Sequence, residues 1–95
     1  MFLPLDGPAV YGALSVTDTP SELKVGASVL GERKVVTIQP LDGPVYFGYD
    51  NSVSETTGVL VREGQYFPLE AGDSLPVWLV AESGDTVDVR ITEVG

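Results

Sequence analysis

Carboxylates, hydroxyls and eight aromatic rings are the side chains available for chemistry in this 95-residue chain, which has no histidine and no cysteine. Serine–histidine triads, thiol nucleophiles and the usual zinc ligand sets are therefore closed to it. Two oxygen-rich runs could offer hard ligands to calcium: Asp50, Asn51, Ser52 and Glu55, and then Glu82, Ser83, Asp85 and Asp88. Neither has EF-hand spacing, and solvated loops with Asx turns are the plainer reading. Glu63 and Glu70 flank "GQYFPL" as a carboxylate pair, but a sugar-cleaving cleft normally needs a larger chain. "GASVLGERK" lacks the spacing of a phosphate loop. Tyr46, Phe47, Tyr49, Tyr66, Phe67 and Trp78 could form a stacking platform for sugars, although most of so few rings are needed in a core or a subunit contact. The expectation is a non-enzyme without metal or cofactor.

Charge narrows the partners. Fourteen acidic residues against five basic ones leave a formal −9. Lys24, Arg33, Lys34, Arg62 and Arg90 are scattered apart from one adjacent pair, so nucleic acid and anionic lipid are not expected ligands. No apolar run approaches the roughly 20 residues of a membrane span. The opening "MFLPLDGP" lacks the features of a secretory leader, which leads to the expectation of a protein made and kept in a cytosol. The 43% apolar content argues for a folded core, yet so short a chain without a disulfide or metal staple has a thin stability margin. Association with other chains is the remaining common remedy.

The elements that must carry these side chains are strands. Gly and Pro punctuate the chain throughout, leaving little room for a helix of average length, about 11–12 residues. Period-two alternation fills the intervals: Val87, Val89 and Ile91 point one way in "DTVDVRITEV", with Asp88, Arg90 and Thr92 opposite. About eight strands follow: Val10–Val16, Leu23–Val25, Lys34–Gln39, Val45–Gly48, Val59–Val61, Tyr66–Leu69, Leu75–Ala81 and Thr86–Glu93. Turn signals every 8–12 residues separate them, the pattern of an antiparallel sandwich or small barrel, and helical folds are excluded. Val36, Ile38, Phe47, Leu69, Leu79, Val87, Val89 and Ile91 are the expected core. "LPVWLVA", "VYFGY" and "GVLV" are apolar on both faces, so a loop, a chain end or another subunit must cover the second.

One phrase occurs twice. "PLDGPAVYG" at Pro4–Gly12 returns as "PLDGPVYFG" at Pro40–Gly48. In Leu-Asp-Gly-Pro the Asp side chain can bond its own backbone, Gly can take positive φ, and Pro can open the strand that follows. A good lead-in turn used twice explains the pair, and the copies diverge beyond their closing glycines.

A longer pattern goes further. A Thr-rich first strand leads to a segment of type "grk.v.Iqp..gpVyfG", here Arg33–Gln39 and Gly43–Gly48. Ser52–Val53, Gly58, Gly64–Gln65 and Leu69 follow, then Trp78–Ala81, Gly84 and a last strand of type "vdVrI.e" at Val87–Ile91. Over roughly Ser15–Gly95 this resembles small structural proteins of tailed-phage virions. The resemblance implies a β-sandwich or jelly roll that decorates or cements a capsid, with the major capsid protein or another virion protein as partner. It also implies a homotrimer located in the virion, assembled in the host cytoplasm. A neck, tail or fibre component is the rival within the particle, and a carbohydrate-binding or host-adhesion module is the rival of another class. Residues 1–12 form an N-terminal arm or a first strand, and 13–95 a single sandwich domain. Phe2, Leu3, Leu5, Tyr11, Tyr46, Tyr49, Tyr66 and Trp78 are the expected contacts with partner or second copy.

Overall fold

The computed structural model describes residues 5–95. The alternating segments form eight strands: β1 (Ala9–Val16), β2 (Ser21–Glu22), β3 (Val35–Pro40), β4 (Val45–Gly48), β5 (Val59–Val61), β6 (Phe67–Glu70), β7 (Trp78–Ala81) and β8 (Val87–Val94). They build two four-stranded antiparallel sheets, ordered β1-β8-β3-β6 and β2-β7-β4-β5. Folding the chain in half at the β4–β5 connection pairs β4 with β5, β3 with β6, β2 with β7 and β1 with β8. Wrapping that double ribbon brings β8 against β3 and β7 against β4. The protein is a small β-sandwich with the strand order of a jelly roll.

Inward residues of the two sheets meet as one core. Val87, Val89 and Ile91 of β8 are buried beside Val36 and Ile38 of β3, facing Val45 and Phe47 of β4 and Leu79 of β7. Phe47 and Phe67 bridge the sheets, with ring centroids 5.3 Å apart. Burying side chains of this size contributes about 1.5–3 kcal/mol each. Leu69, expected in the core, is only partly covered because β6 is an edge strand with no neighbour beyond it.

Both copies of the repeated turn press on β8. The Gly7 amide donates to Gly95 O (2.9 Å), and the Gly95 amide donates to Pro8 O (2.8 Å). At the other end of the strand, Asp42 accepts the Asp88 amide at 2.8 Å and Leu41 N–H donates to Asp88 O. A Cβ on Gly7 would lie 2.7 Å from the Gly95 carbonyl carbon, and one on Gly43 would lie 3.1 Å from Val87 Cγ2. The two turns thus hold opposite ends of one central strand, at separations where a side chain would intrude.

Several strand ends shift by one residue from the periodicity, and two elements differ by more, for one shared reason. The pattern places a strand at Leu23–Val25, but β2 is Ser21–Glu22 and shares no residue with it; it starts another at Leu75, but β7 begins at Trp78. Glu93 continues the inward face of β8, and its carboxylate accepts the amides of Val25 (2.9 Å) and Leu30 (3.0 Å). It also meets Arg33 Nη1 at 2.9 Å, and neither side chain is exposed. Arg33 turns its other donors to the carbonyls of Ala71 (3.1 Å), Gly72 (2.9 Å) and Leu75 (2.8 Å). Val25 and Leu75 are therefore drawn out of strand pairing by a buried ion pair, and Pro76 removes a further donor.

Gly48 and Gly58 have a packing role. The β4–β5 loop folds back over the outer face of its sheet and sets Val53 against both glycines. Val80 points to this outer face yet is only 3% exposed, and Val53 is 7% exposed. A loop thus covers part of the second apolar face of β4 and β7.

Two stability tests follow. Arg33→Ala or Glu93→Ala strands a buried charge and should lower unfolding free energy by about 3–5 kcal/mol, whereas Arg33→Met with Glu93→Leu should lose much less; urea titration of the three variants measures this. Gly58→Ala places a Cβ 2.7 Å from Tyr46 Cβ and 2.8 Å from Val53 Cγ2. Its expected cost of about 1–3 kcal/mol is read from the same titration.

Candidate interaction surface

Parts of the acidic runs are tied into local structure. Asp50 Oδ1 accepts the Ser52 amide at 2.9 Å together with the Ser52 hydroxyl, and these bonds hold the Asp50 carboxyl below its ordinary range. Asp18 caps the Gly84 amide at 3.0 Å, and Asp88 pairs with Arg90 at 3.3 Å on the surface. Among the described residues no three His, Cys, Asp or Glu side chains are grouped to hold a metal ion. Glu63 lies exposed in the β5–β6 connection and Glu70 exposed at the end of β6. A shallow depression of about 220 Å³ lies between Asp18, Val53, Glu55 and Ser83.

The expected aromatic platform is divided by the fold. Phe47 and Phe67 serve the core. Tyr49 follows β4 and stands edge-on to Phe47, with centroids 6.1 Å apart. Tyr46 and Trp78 share the outer face of the β2-β7-β4-β5 sheet, since Tyr46 is opposite Val80 and Trp78 opposite Gly48. Both are half-buried. The Tyr46 hydroxyl donates to Glu82 at 3.0 Å, and that bond, followed by burial and the nearby Glu82 and Glu55 charges, raises its pKa above 10.0.

The remaining expected contact residues lie elsewhere. Tyr11 is on the outer face of the β1-β8-β3-β6 sheet and is 84% exposed, and Tyr66, immediately before β6, is 63% exposed. Leu5 is exposed ahead of β1, while Phe2 and Leu3 fall outside the described residues. The six described residues therefore do not form one patch.

The structure brings forward a surface that side-chain types alone do not reveal. Rows across the outer face of the β1-β8-β3-β6 sheet run Ala9, Val94, Val35, Glu70; Tyr11, Thr92, Thr37, Pro68; and Ala13, Arg90, Gln39. The Thr37 and Thr92 hydroxyls bond at 2.6 Å, which leaves this middle row with little polar demand. A groove of about 450 Å³ beside Tyr11 is lined by Gly12, Ala13, Arg90, Ile91 and Thr92.

β1 is also a sheet edge. Edge strands are commonly protected by shortness, charge or proline. β2 is two residues long, β5 three, and β6 carries Pro68, but β1 has eight residues, none charged and none proline. The Gly95–Pro8 bond sets the phase of the β1–β8 ladder. Val10, Gly12, Leu14 and Val16 continue that phase, so Ala9, Tyr11, Ala13 and Ser15 turn their N–H and C=O groups to the open side. All four residues are exposed. The signal was present in the sequence as an uncharged strand over Val10–Val16, but its place at the end of a sheet was not.

Compared with protein families, curated proteins and solved structures, the chain matches none.

The Tyr46–Glu82 bond gives a pH test. Because the folded pKa lies above the unfolded value of about 10, the stabilisation it contributes is complete below that value and is lost as pH rises through the folded pKa. Glu82→Ala should bring Tyr46 ionisation down toward its ordinary range. Phenolate absorbance, with Tyr46→Phe subtracted to isolate this ring, reads the change.

Proposed function

We propose that the protein is a structural component of a tailed-phage particle, acting as a capsid decoration protein that bridges capsomers. The observation carrying this reading is an open, uncharged sheet edge bearing an exposed tyrosine, on a sandwich whose buried ion pair is committed to bracing its own loops. The jelly-roll order adds support by analogy, since capsid, lectin and cupin domains all use it. The resemblance of Arg33–Gln39, Gly43–Gly48 and Val87–Ile91 to virion proteins selects among those uses.

The mechanism is mechanical. Copies that bind only the assembled lattice stabilise it by mass action, because the ligand prefers one state of the shell. The major capsid protein is the partner, and the protein resides in the virion after assembly in the host cytoplasm. Homotrimeric association belongs to this reading through the resemblance alone; the edge geometry argues for a two-fold contact, taken up below.

Quantitative mass spectrometry of purified particles tests the proposal. A lattice protein should be present in roughly hundreds of copies, and a ring-forming neck or tail part in about a dozen or fewer. Absence from particles, together with selective binding on a glycan array, would replace the proposal with a carbohydrate-binding module.

A further inference from the structure

We propose that the open edge of β1 pairs with β1 of a second copy, antiparallel about a two-fold axis at Gly12, joining two four-stranded sheets into one of eight. The hydrogen-bonding groups left open belong to Ala9, Tyr11, Ala13 and Ser15. An axis at Gly12 sets Tyr11 opposite Ala13 of the second copy and Ala9 opposite Ser15, so every open group on one strand finds a complement on the other. Isologous contacts require this self-complementarity, and a strand pairing with its own copy supplies it.

Side chains agree with the same axis. Tyr11 projects from the outer face at 84% exposure, and the groove beside it is formed by Gly12, Ala13 and the neighbouring β8 residues Arg90, Ile91 and Thr92. The two-fold delivers the second copy's Tyr11 beside Ala13, over that groove and toward Arg90, the cation of this face. A tyrosine ring against a guanidinium is attractive, and the groove's apolar floor suits the rest of the ring. Charge favours the edge as well. In a chain of formal charge −9, β1 carries no acidic residue, and charges farther than about 8 Å apart are largely screened at physiological salt.

The contact is small. Two tyrosines bury about 150–250 Å² each, and a single strand pair adds a narrow strip, which places the dimer in the weak class with half-dissociation at roughly tens to hundreds of micromolar. Each copy's other surfaces stay free for a lattice partner, so the inference does not rest on the virion reading.

Sedimentation of the full chain from micromolar to millimolar concentration tests it, alongside Ala13→Pro. The Ala13 N–H faces the open edge, so proline there removes a donor from the proposed pairing and none from the β1–β8 ladder. Wild type should shift from monomer to dimer with concentration, while Ala13→Pro keeps its β-sheet circular dichroism and dimerises at least tenfold more weakly. Should Ala13→Pro fail to fold, Tyr11→Lys at a solvent-exposed position gives the same reading by adding like charge near the axis. A wild-type chain that stays monomeric at millimolar concentration, or forms trimers without dimers, overturns the proposal. So does a folded edge variant that dimerises as well as wild type.

Discussion

The Arg33–Glu93 ion pair is the constraint around which the loops of this sandwich are arranged. Two opposite charges with no exposed surface are expensive to desolvate, and such a pair persists only when nearly every donor and acceptor is met. Here Arg33 reaches three carbonyls between Ala71 and Leu75, and Glu93 accepts two amides from the β2–β3 connection. Two connections, β2–β3 and β6–β7, are thereby fixed to the end of β8. In a domain of 95 residues without disulfides, this network supplies a polar staple where the apolar core thins out.

β8 itself is the second organising feature. It lies between β1 and β3, carries four inward residues, and is held at both ends by the same Leu-Asp-Gly-Pro turn used twice. The repeat is thus a solution to one packing problem at two ends of one strand. Its glycines are required by close approach to β8 rather than by positive φ, which among the described glycines occurs at Gly64 and Gly84.

The two sheets present unlike outer faces. One is partly roofed by the β4–β5 loop, where Val53 fits over two glycines, and Val80 on the same face is buried. The other is open, with β1 as its unprotected edge. The two outer faces thus differ in how far they are covered, although Leu60, opposite Tyr46 on the roofed face, is still 40% exposed. Carboxylates that could have suggested chemistry are instead spent on capping: Asp18, Asp42 and Asp50 each accept a backbone amide.

Local pattern determined the class of fold. Period-two alternation with Gly and Pro breaks specifies strands because side chains of a strand alternate faces, and the Val87–Ile91 and Val36–Ile38 alternation identified core positions directly. Val45–Gly48 and Val59–Val61 were legible residue for residue. Only the tertiary structure decided where Leu23–Val25 and Leu75 stop behaving as strand, because the groups that capture them, Glu93 and Arg33, are far away in sequence. It also decided which aromatics are core, which are covered and which are free. Tyr11, Phe47 and Trp78 are alike as apolar rings on strands, and their exposure depends on which sheet each strand joins and what lies over it. Alternation fixes which residues share a face; strand order and long-range contacts fix what that face meets.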